Sequence, residues 1–334
     1  MTNVRFGRTG LKVSRLALGT MTFGLQTPEA EAFQILDKAA EAGINLLDSA
    51  DIYPLGGTLQ TVGETERILG RWFESGGLRS RSNFILATKA WAPVGANSWD
   101  QGCSRKHLLD AIDASLKRLR TDYIDLYQLH FDDRETPLEE TLRALDDIVR
   151  SGRARYVGVS NFVAYRLARA LGLSQCLSAV SFASVQPRYS LLFRDIEREL
   201  LPLAEEVGLA VLPYNPLAGG LLTGKYRSSA NLESNTRFTL GTAAEMYQQR
   251  YWNARTFATV DRIRDLAAQA GVPLTTLAIA WVLANPVVTS PLLGASRPAQ
   301  LDDTLAAADY VLPGDLKRRL DDATEEYVNT PLVR

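Results

Sequence analysis

The sequence predicts an α/β protein, a closed (β/α)8 TIM barrel with an N-terminal β-hairpin and a long loop after its seventh barrel strand. Eight β-rich runs alternate with segments of helical periodicity along the 334 residues. Most runs are nearly continuous Val, Ile, Leu and Ala, which is typical of parallel strands buried on both faces. No long linker interrupts the alternation, and no G-x-G-x-x-G fingerprint follows a strand, so a barrel is favoured over a doubly wound open sheet. We expect residues 1–334 to form one barrel domain.

The predicted strands are short and lie near residues 15–19, 45–50, 84–89, 124–130, 156–161, 183–187, 209–214 and 289–295. The clearest helical segments place their apolar residues on one stripe and span residues 28–42, 104–119 and 137–149. A hydroxyl residue stands at the first position of one segment and directly before the start of the other two. We therefore expect Thr27, Ser104 and Thr136 to act as helix N-caps.

Three segments break the simple alternation. Residues 4–13 carry two short β-rich stretches around Thr9-Gly10, which indicates a hairpin at the bottom of the barrel. Residues 226–255 are polar and irregular, and we interpret them as a large loop after the seventh strand. Residues 273–286 form an apolar helical pattern between two prolines, which predicts an extra helix before the last strand.

Composition limits the classes of function. Apolar residues make up 46% of the chain, charged residues make up 22%, and the formal net charge is −1. Nothing here favours nucleic acid or an anionic membrane as partner, and no apolar run reaches the length of a bilayer span. The two cysteines, Cys103 and Cys176, lack metal-binding spacing, so we expect free thiols, no metal site and a reducing compartment. The N-terminus resembles no signal peptide, and the cytoplasm is the expected location.

Four side chains that suit carbonyl reduction come at or just after the ends of predicted strands. Asp48, Lys89 and His130 each close an apolar run, and Tyr53 follows Asp48 by five positions. Active sites of (β/α)8 barrels lie at the C-terminal ends of the strands, so these four side chains should meet there. Taken singly, each has an ordinary explanation, such as a capping Asp, a packed Tyr or a solvated Lys. Together, in this order, they indicate a catalytic site.

The chemistry of the four residues assigns a role to each. Hydride addition to a carbonyl leaves an alkoxide that needs a proton, and we assign Tyr53 as the acid. A free phenol has a pKa near 10, and a neighbouring Lys89 ammonium should lower it. Asp48 would keep that ammonium charged and oriented, and His130 would orient the carbonyl group. The only other histidine, His107, lies near a helix start, where we expect it to face solvent.

At this point the chain resembles the aldo-keto reductase superfamily from Gly7 to about Thr304. The resemblance rests on motifs in strand order, at residues 48–53 (DSADIY), 88–89 (TK), 128–130 (QLH), 158–161 (GVSN), 185–186 (VQ) and 214–217 (YNPL). Residues 218–226 (AGGLLTGKY) are similar to the bacterial branch related to the potassium-channel β subunits. The resemblance implies the (β/α)8 barrel, the tetrad Asp48, Tyr53, Lys89 and His130, and NADPH bound without a Rossmann motif.

The resemblance also implies which residues hold the cofactor. By the part of the cofactor that they would contact, they are Gly19, Thr20 and Met21 for the nicotinamide ribose, Ser160, Asn161 and Gln186 for the carboxamide, Tyr214 for the ring face, Asn215, Pro216, Leu217, Gly219 and Lys225 for the pyrophosphate, and Gly294, Ser296, Arg297, Gln300 and Asp303 for the adenosine end. Asp48 is also among the implied cofactor contacts. Ser296 and Arg297 suit a 2′-phosphate, which favours NADPH over NADH. Arg237 would either close over the cofactor or face solvent.

Residues 219–225 also fit the spacing G-x-x-x-x-G-K of nucleotide triphosphatases. The next residue is Tyr226 rather than the Ser or Thr that binds magnesium, so the sequence argues against a kinase or ATPase. The expected substrate is a small carbonyl compound, contacted by Tyr53, His130, Trp91 and Phe131.

Two other classes of function remain open from the sequence. One is a regulatory subunit that binds the cofactor as a redox sensor with little turnover. The other is a barrel aldolase that uses Lys89 as a Schiff base. The sequence leaves open the identity of the carbonyl substrate, the physiological direction and whether the chain forms a homo-oligomer.

Overall fold

The computed structural model describes residues 1–226 and 236–329, and the predicted barrel is present in them. An antiparallel hairpin of β1 (Asn3–Arg5) and β2 (Lys12–Ser14) comes first. The eight barrel strands are β3 (Ala17–Gly19), β4 (Leu46–Asp48), β5 (Ile85–Ala90), β6 (Ile124–Leu129), β7 (Ala154–Ser160), β8 (Ser184–Gln186), β9 (Ala210–Val211) and β10 (Leu292–Gly294). Each overlaps one predicted strand. Residues 227–235 of the expected long loop, and residues 330–334, lie outside the described residues.

All eight barrel strands are parallel and neighbours in sequence are neighbours in space, in the order β10-β3-β4-β5-β6-β7-β8-β9. A parallel bridge between Val211 and Val288 joins the two ends and closes the sheet. Because the strands are parallel and in register, Gly19 pairs with Asp48, and Lys89 pairs with Gln128. The strand ends that carry the predicted catalytic residues therefore open on one side of the barrel.

Helices surround the sheet. Their bounds are α1 (Glu29–Glu41), α2 (Glu64–Glu74), α3 (Arg105–Leu119), α4 (Leu138–Arg150), α5 (Ala164–Cys176), α6 (Leu200–Val207), α7 (Ala244–Tyr251), α8 (Ala254–Ala270), α9 (Leu274–Leu283), α10 (Leu301–Ala306) and α11 (Gly314–Ala323). The larger core lies between helices and sheet, whereas a smaller one fills the barrel interior. Phe6, just after β1, is fully buried in that interior core against Leu46 and Leu126, so the hairpin closes the bottom of the barrel as expected.

Of the three expected N-caps, only Ser104 is confirmed. Its hydroxyl accepts a hydrogen bond from the His107 backbone N–H at 3.2 Å. The N-cap predictions at Thr27 and Thr136 were wrong by one position. The following residues, Pro28 and Pro137, occupy the extended N-cap position, so each helix begins one residue later than expected. The Thr136 hydroxyl instead donates to Asp133, whose carboxylate also accepts backbone N–H groups of this loop.

Two further expectations concern the region after the seventh barrel strand. The segment 226–255 is not irregular throughout, since α7 forms within it. The extra helix before the last strand is confirmed as α9, whose residues 274–282 are buried. Among residues 1–226 and 236–329, no single helix is long and apolar enough to cross a membrane, although α8 and α9 pass that test jointly, across a 95° bend.

Candidate active site

A cavity of about 900 Å³ opens at the C-terminal ends of the strands. Every residue predicted to hold the cofactor lines it, from Gly19 on β3 to Asp303 on α10. Tyr53, His130 and Phe131 line it as well. The structure thus brings together side chains that are spread over most of the chain, and places them where barrel enzymes have their active sites.

Lys89 is fully buried and does not itself line the cavity, but it contacts Asp48 and Tyr53, which do. Its Nζ donates to Asp48 Oδ2 at 2.6 Å and to the Ser49 carbonyl at 2.7 Å, and lies 3.4 Å from Tyr53 Oη. Burial lowers the pKa of Lys89, but the charges of Asp48 and Tyr53 and their hydrogen bonds outweigh it, so the pKa is raised overall. The lysine is therefore an ammonium at neutral pH. Its three N–H groups match the three neighbouring oxygens of Asp48, Ser49 and Tyr53.

The second oxygen of Asp48 is also engaged. Asp48 Oδ1 accepts hydrogen bonds from the amides of Gln128 at 3.1 Å and Gln186 at 2.8 Å. The Gln186 amide nitrogen therefore faces Asp48, which leaves its amide oxygen to accept from a ligand group. This buried network fixes the carboxylate, and through it the ammonium of Lys89.

Tyr53 differs from the sequence-based expectation in one respect. Burial raises the pKa of the Tyr53 phenol, Lys89 lowers it, and the net direction is upward. The phenol is desolvated on one side by the barrel, and Asp48 further disfavours its anion, so a single ammonium 3.4 Å away does not make it acidic. Tyr53 is thus protonated at neutral pH and available as a proton donor, with Lys89 beside it to stabilise a tyrosinate.

His130 follows β6 and faces Tyr53, with ring centroids 5.9 Å apart in an edge-on arrangement. Burial, with the nearby Lys89 charge, lowers the pKa of His130 well below its usual value, so the imidazole is neutral. Its Nδ1 is buried without a hydrogen-bond partner among the described residues. The Asn161 amide nitrogen holds the His130 carbonyl at 2.9 Å, which fixes the strand end that carries the ring.

Two further carboxyl groups, those of Glu66 and Asp51, are buried outside the cavity. Glu66 is fully buried and accepts from Thr88 Oγ1 and from Arg118 Nε, both at 2.6 Å. Asp51 is 1% exposed, and neither of its carboxyl oxygens has a hydrogen-bond partner among residues 1–226 and 236–329. Burial, followed by repulsion from Glu66, raises the pKa of Asp51 well above its usual range.

We expect Asp51→Asn to raise the free energy of unfolding, and to do so more at pH 8 than at pH 5. The pKa of Asp51 is higher folded than unfolded, so its contribution to stability is full below the unfolded pKa of about 4 and is lost as pH rises through the folded pKa. Between the unfolded and the folded pKa of Asp51, the free energy of unfolding of the wild type falls by up to about 1.4 kcal/mol per pH unit relative to that of the uncharged variant.

Urea unfolding midpoints of both proteins at pH 5, 6.5 and 8 measure this difference. Asp110→Asn is the matched control, because it makes the same substitution at an exposed carboxylate, which is paired with Lys106. A stability difference between Asp51→Asn and wild type that stays constant or shrinks as pH rises would contradict the prediction.

The groove beside β9 has features that fit a dinucleotide. Asn215 Oδ1 accepts from the Gly219 backbone N–H at 2.7 Å, and a Cβ at Gly219 would lie 2.9 Å from the Tyr247 ring. This close turn presents backbone to the cavity. Lys225 forms no ion pair within the described residues, and Arg237 Nη1 is buried there without a partner, so this wall offers uncompensated positive charge.

Hydrogen bonds also order the side chains that would face the carboxamide end and the adenosine end of the cofactor. Tyr214 Oη donates to Asn161 Oδ1 at 2.8 Å, and Ser160 Oγ donates to the Gln186 carbonyl at 2.8 Å, which orders the polar groups near the expected nicotinamide. At the far end, Gln300 Oε1 accepts from the Ser296 backbone N–H at 2.8 Å.

The substrate side is only partly as expected. Phe131 lines the cavity and stacks on His130, with ring centroids 5.3 Å apart. Trp91 does not line the cavity but packs against Phe131 at 4.9 Å. Sequence reasoning missed Tyr247 and Arg250 on α7, which also line it. They lie in a segment without β-strand pattern, so only their helical spacing could have indicated a shared face.

Outside this cavity, the expectation that His107 faces solvent is wrong. It is 3% exposed, and burial lowers its pKa. Within residues 1–226 and 236–329, no group of three or more His, Cys, Asp or Glu side chains is placed to hold a metal ion. Cys103 and Cys176 are free thiols.

The chain is similar in sequence to known proteins over most of its length. The sequence model of the Aldo/keto reductase family matches residues 15–325. The chain is 40% identical to the uncharacterized oxidoreductase YrpG of Bacillus subtilis, over 95% of this chain and 94% of that protein. It is 36% identical to a probable voltage-gated potassium channel subunit beta of Arabidopsis thaliana (91% and 90%) and 31% identical to versiconal hemiacetal acetate reductase of Aspergillus parasiticus (93% and 94%). The chain therefore belongs to the aldo/keto reductase family of oxidoreductases, which generally use NAD(P)H and act on small carbonyl compounds.

Proposed function

We propose that this protein reduces an aldehyde or ketone to the alcohol with NADPH, and that Tyr53 is the proton donor. The observation that carries the proposal is the contact of one buried ammonium, Lys89, with both Asp48 and Tyr53, which line a large cavity. A buried Asp–Lys–Tyr chain that reaches the cavity at Tyr53 suits proton donation to a bound substrate.

When bound, NADPH would be the source of the hydride that reduces the carbonyl carbon. Tyr53 Oη donates its proton to the carbonyl oxygen, so that the product is the neutral alcohol. Lys89 stabilises the tyrosinate that remains. Asp48 holds the ammonium in position and offsets the cost of burying its charge. His130, which is neutral, holds the carbonyl oxygen by donating a hydrogen bond from its ring.

The proposed cofactor contacts follow the cavity wall. Tyr214 would lie against the nicotinamide ring, the Gln186 amide oxygen would accept from the carboxamide, and Lys225 and Arg237 would neutralise the pyrophosphate. Arg297 is exposed at the adenosine end and takes no acid partner among the described residues, which supports a 2′-phosphate and hence NADPH. A cytoplasmic location is proposed with it, supported by the two free thiols.

A second candidate is a regulatory subunit that binds the cofactor with little turnover. The relatives named as potassium channel β subunits favour it. The aldolase alternative is disfavoured, because a Schiff-base lysine needs a lowered pKa, whereas Asp48 and Tyr53 raise the pKa of Lys89 overall.

A carbonyl panel with NADPH consumption as readout tests the proposal. We expect turnover with at least one aldehyde, and a rise in Tm with NADPH that is larger than with NADH at equal concentration, because ligand binding stabilises the folded state. Absence of a shift with either cofactor would contradict the cofactor assignment. A shift without turnover across the panel would favour the regulatory alternative.

A further inference from the structure

Helix α7 supplies one wall of the cavity. Met246, Tyr247 and Arg250 all line it, and their spacing of one and three residues places them on one helical face. Leu55, in the loop after Tyr53, lines the cavity as well. On this face of α7, Arg250 is the cationic residue beside one apolar and one aromatic side chain, and the Arg237 guanidinium lies 5.9 Å from the Tyr247 ring centroid.

Arg250 has no acidic partner within the described residues. Among residues 1–226 and 236–329, no carboxylate lies within 4.0 Å of its guanidinium, and its Nε is buried there without a hydrogen-bond partner. Arg255, five positions later, lies outside the cavity and faces Glu326 at 3.8 Å. A buried guanidinium donor without an acceptor is unfavourable, and an anion entering from the cavity would relieve this.

Helix α7 lies between the loop after Tyr53 and the turn after Tyr214. The turn before α7 packs against that loop, since a Cβ at Gly241 would clash with the Gly56 carbonyl oxygen. At the other end of the helix, Tyr251 Oη accepts from the Asn215 amide at 2.9 Å. Arg250 therefore lies on a helix whose end contacts the residue after Tyr214, the side chain that would lie against the nicotinamide, whereas Arg297 would serve the adenosine end.

We propose that Arg250 binds a carboxylate of the substrate, so that this site prefers carbonyl compounds that carry a carboxylate over neutral ones of the same shape. This inference rests on the proposed function. The planar guanidinium matches the two oxygens of a carboxylate, and its partly buried position strengthens the interaction relative to one in water. The carbonyl end of the substrate lies at Tyr53 and His130, and the carboxylate lies at α7.

The test compares 4-carboxybenzaldehyde with its methyl ester, methyl 4-formylbenzoate, which has the same reacting group without the charge. We expect Arg250→Met to lower kcat/KM for the acid by about 10- to 100-fold, mainly through KM, and to change that for the ester by less than about threefold. Arg250→Lys should recover part of the lost kcat/KM, because lysine keeps the positive charge but cannot donate the two parallel hydrogen bonds of a guanidinium. Arg255→Met removes the same charge outside the cavity and should leave both substrates unaffected.

Equal losses on both aldehydes, or none, would overturn the inference. So would a weaker NADPH Kd in Arg250→Met that accounts for the whole effect, since Arg250 would then bind the cofactor. If wild type reduces neither aldehyde nor any of the carbonyl panel, the proposed function fails, and calorimetry with 4-(hydroxymethyl)benzoate and NADP⁺ decides this inference separately. Binding at least about tenfold tighter to wild type than to Arg250→Met supports it, and equal binding refutes it.

Discussion

Replacing Tyr53 with phenylalanine is expected to lower kcat for carbonyl reduction by about 10²- to 10⁴-fold, which is the usual contribution of a positioned general acid. The substitution removes only the hydroxyl, so the edge-on ring contact with His130 is kept. Lys89 loses its longest contact, at 3.4 Å, and keeps those with Asp48 and Ser49. NADPH binding should therefore change little.

Single-turnover oxidation of NADPH measures the chemical step, and fluorescence titration measures the Kd for NADPH. Tyr127→Phe is a matched control, because Tyr127 also has a buried hydroxyl, bonded to the Leu108 carbonyl at 3.2 Å, but lies outside the cavity. That control should keep near-normal turnover at a small cost in stability. Near-normal turnover in Tyr53→Phe would show that another group donates the proton.

Strand ends explain why so much of this site was predictable. A parallel barrel brings the C-terminal ends of its strands together, so Asp48, Lys89 and His130 could be placed from their position after apolar runs alone. The cavity wall near α7 was not predictable in this way. Its segment has polar character and no strand pattern, and the position of Arg250 depends on how α7 packs over the turn at Asn215, where Tyr251 Oη accepts from the Asn215 amide.

Details that depend on competing local interactions were also beyond the sequence. The expected acidity of Tyr53 assumed that one ammonium outweighs desolvation, whereas burial is the larger effect. Thr27 and Thr136 match the preferred N-cap residue types, but the prolines after them already have the extended backbone of that position. His107 could not be placed inside from a pattern, because burial of its ring depends on how α3 packs against neighbouring segments.

Lys89→Met is expected to remove turnover and also to destabilise the protein by about 3–5 kcal/mol, the usual cost of removing one partner of a buried ion pair. Asp48 would remain 3% exposed, with only the amides of Gln128 and Gln186 to satisfy its charge. Turnover should fall by at least about 10²-fold, because the tyrosinate left after proton transfer would lack its counter-charge.

The double variant Lys89→Met/Asp48→Asn separates the two effects. An asparagine at position 48 can still accept from Gln128 and Gln186 through its amide oxygen but carries no charge, so most of the lost stability should return. Turnover should stay low, because neither the ammonium nor its orienting carboxylate is present. Urea unfolding of wild type, both single variants and the double variant gives the coupling energy between the two side chains. Strictly additive losses would mean that Lys89 and Asp48 do not stabilise each other, and recovered turnover in the double variant would mean that the proton donor does not depend on this pair.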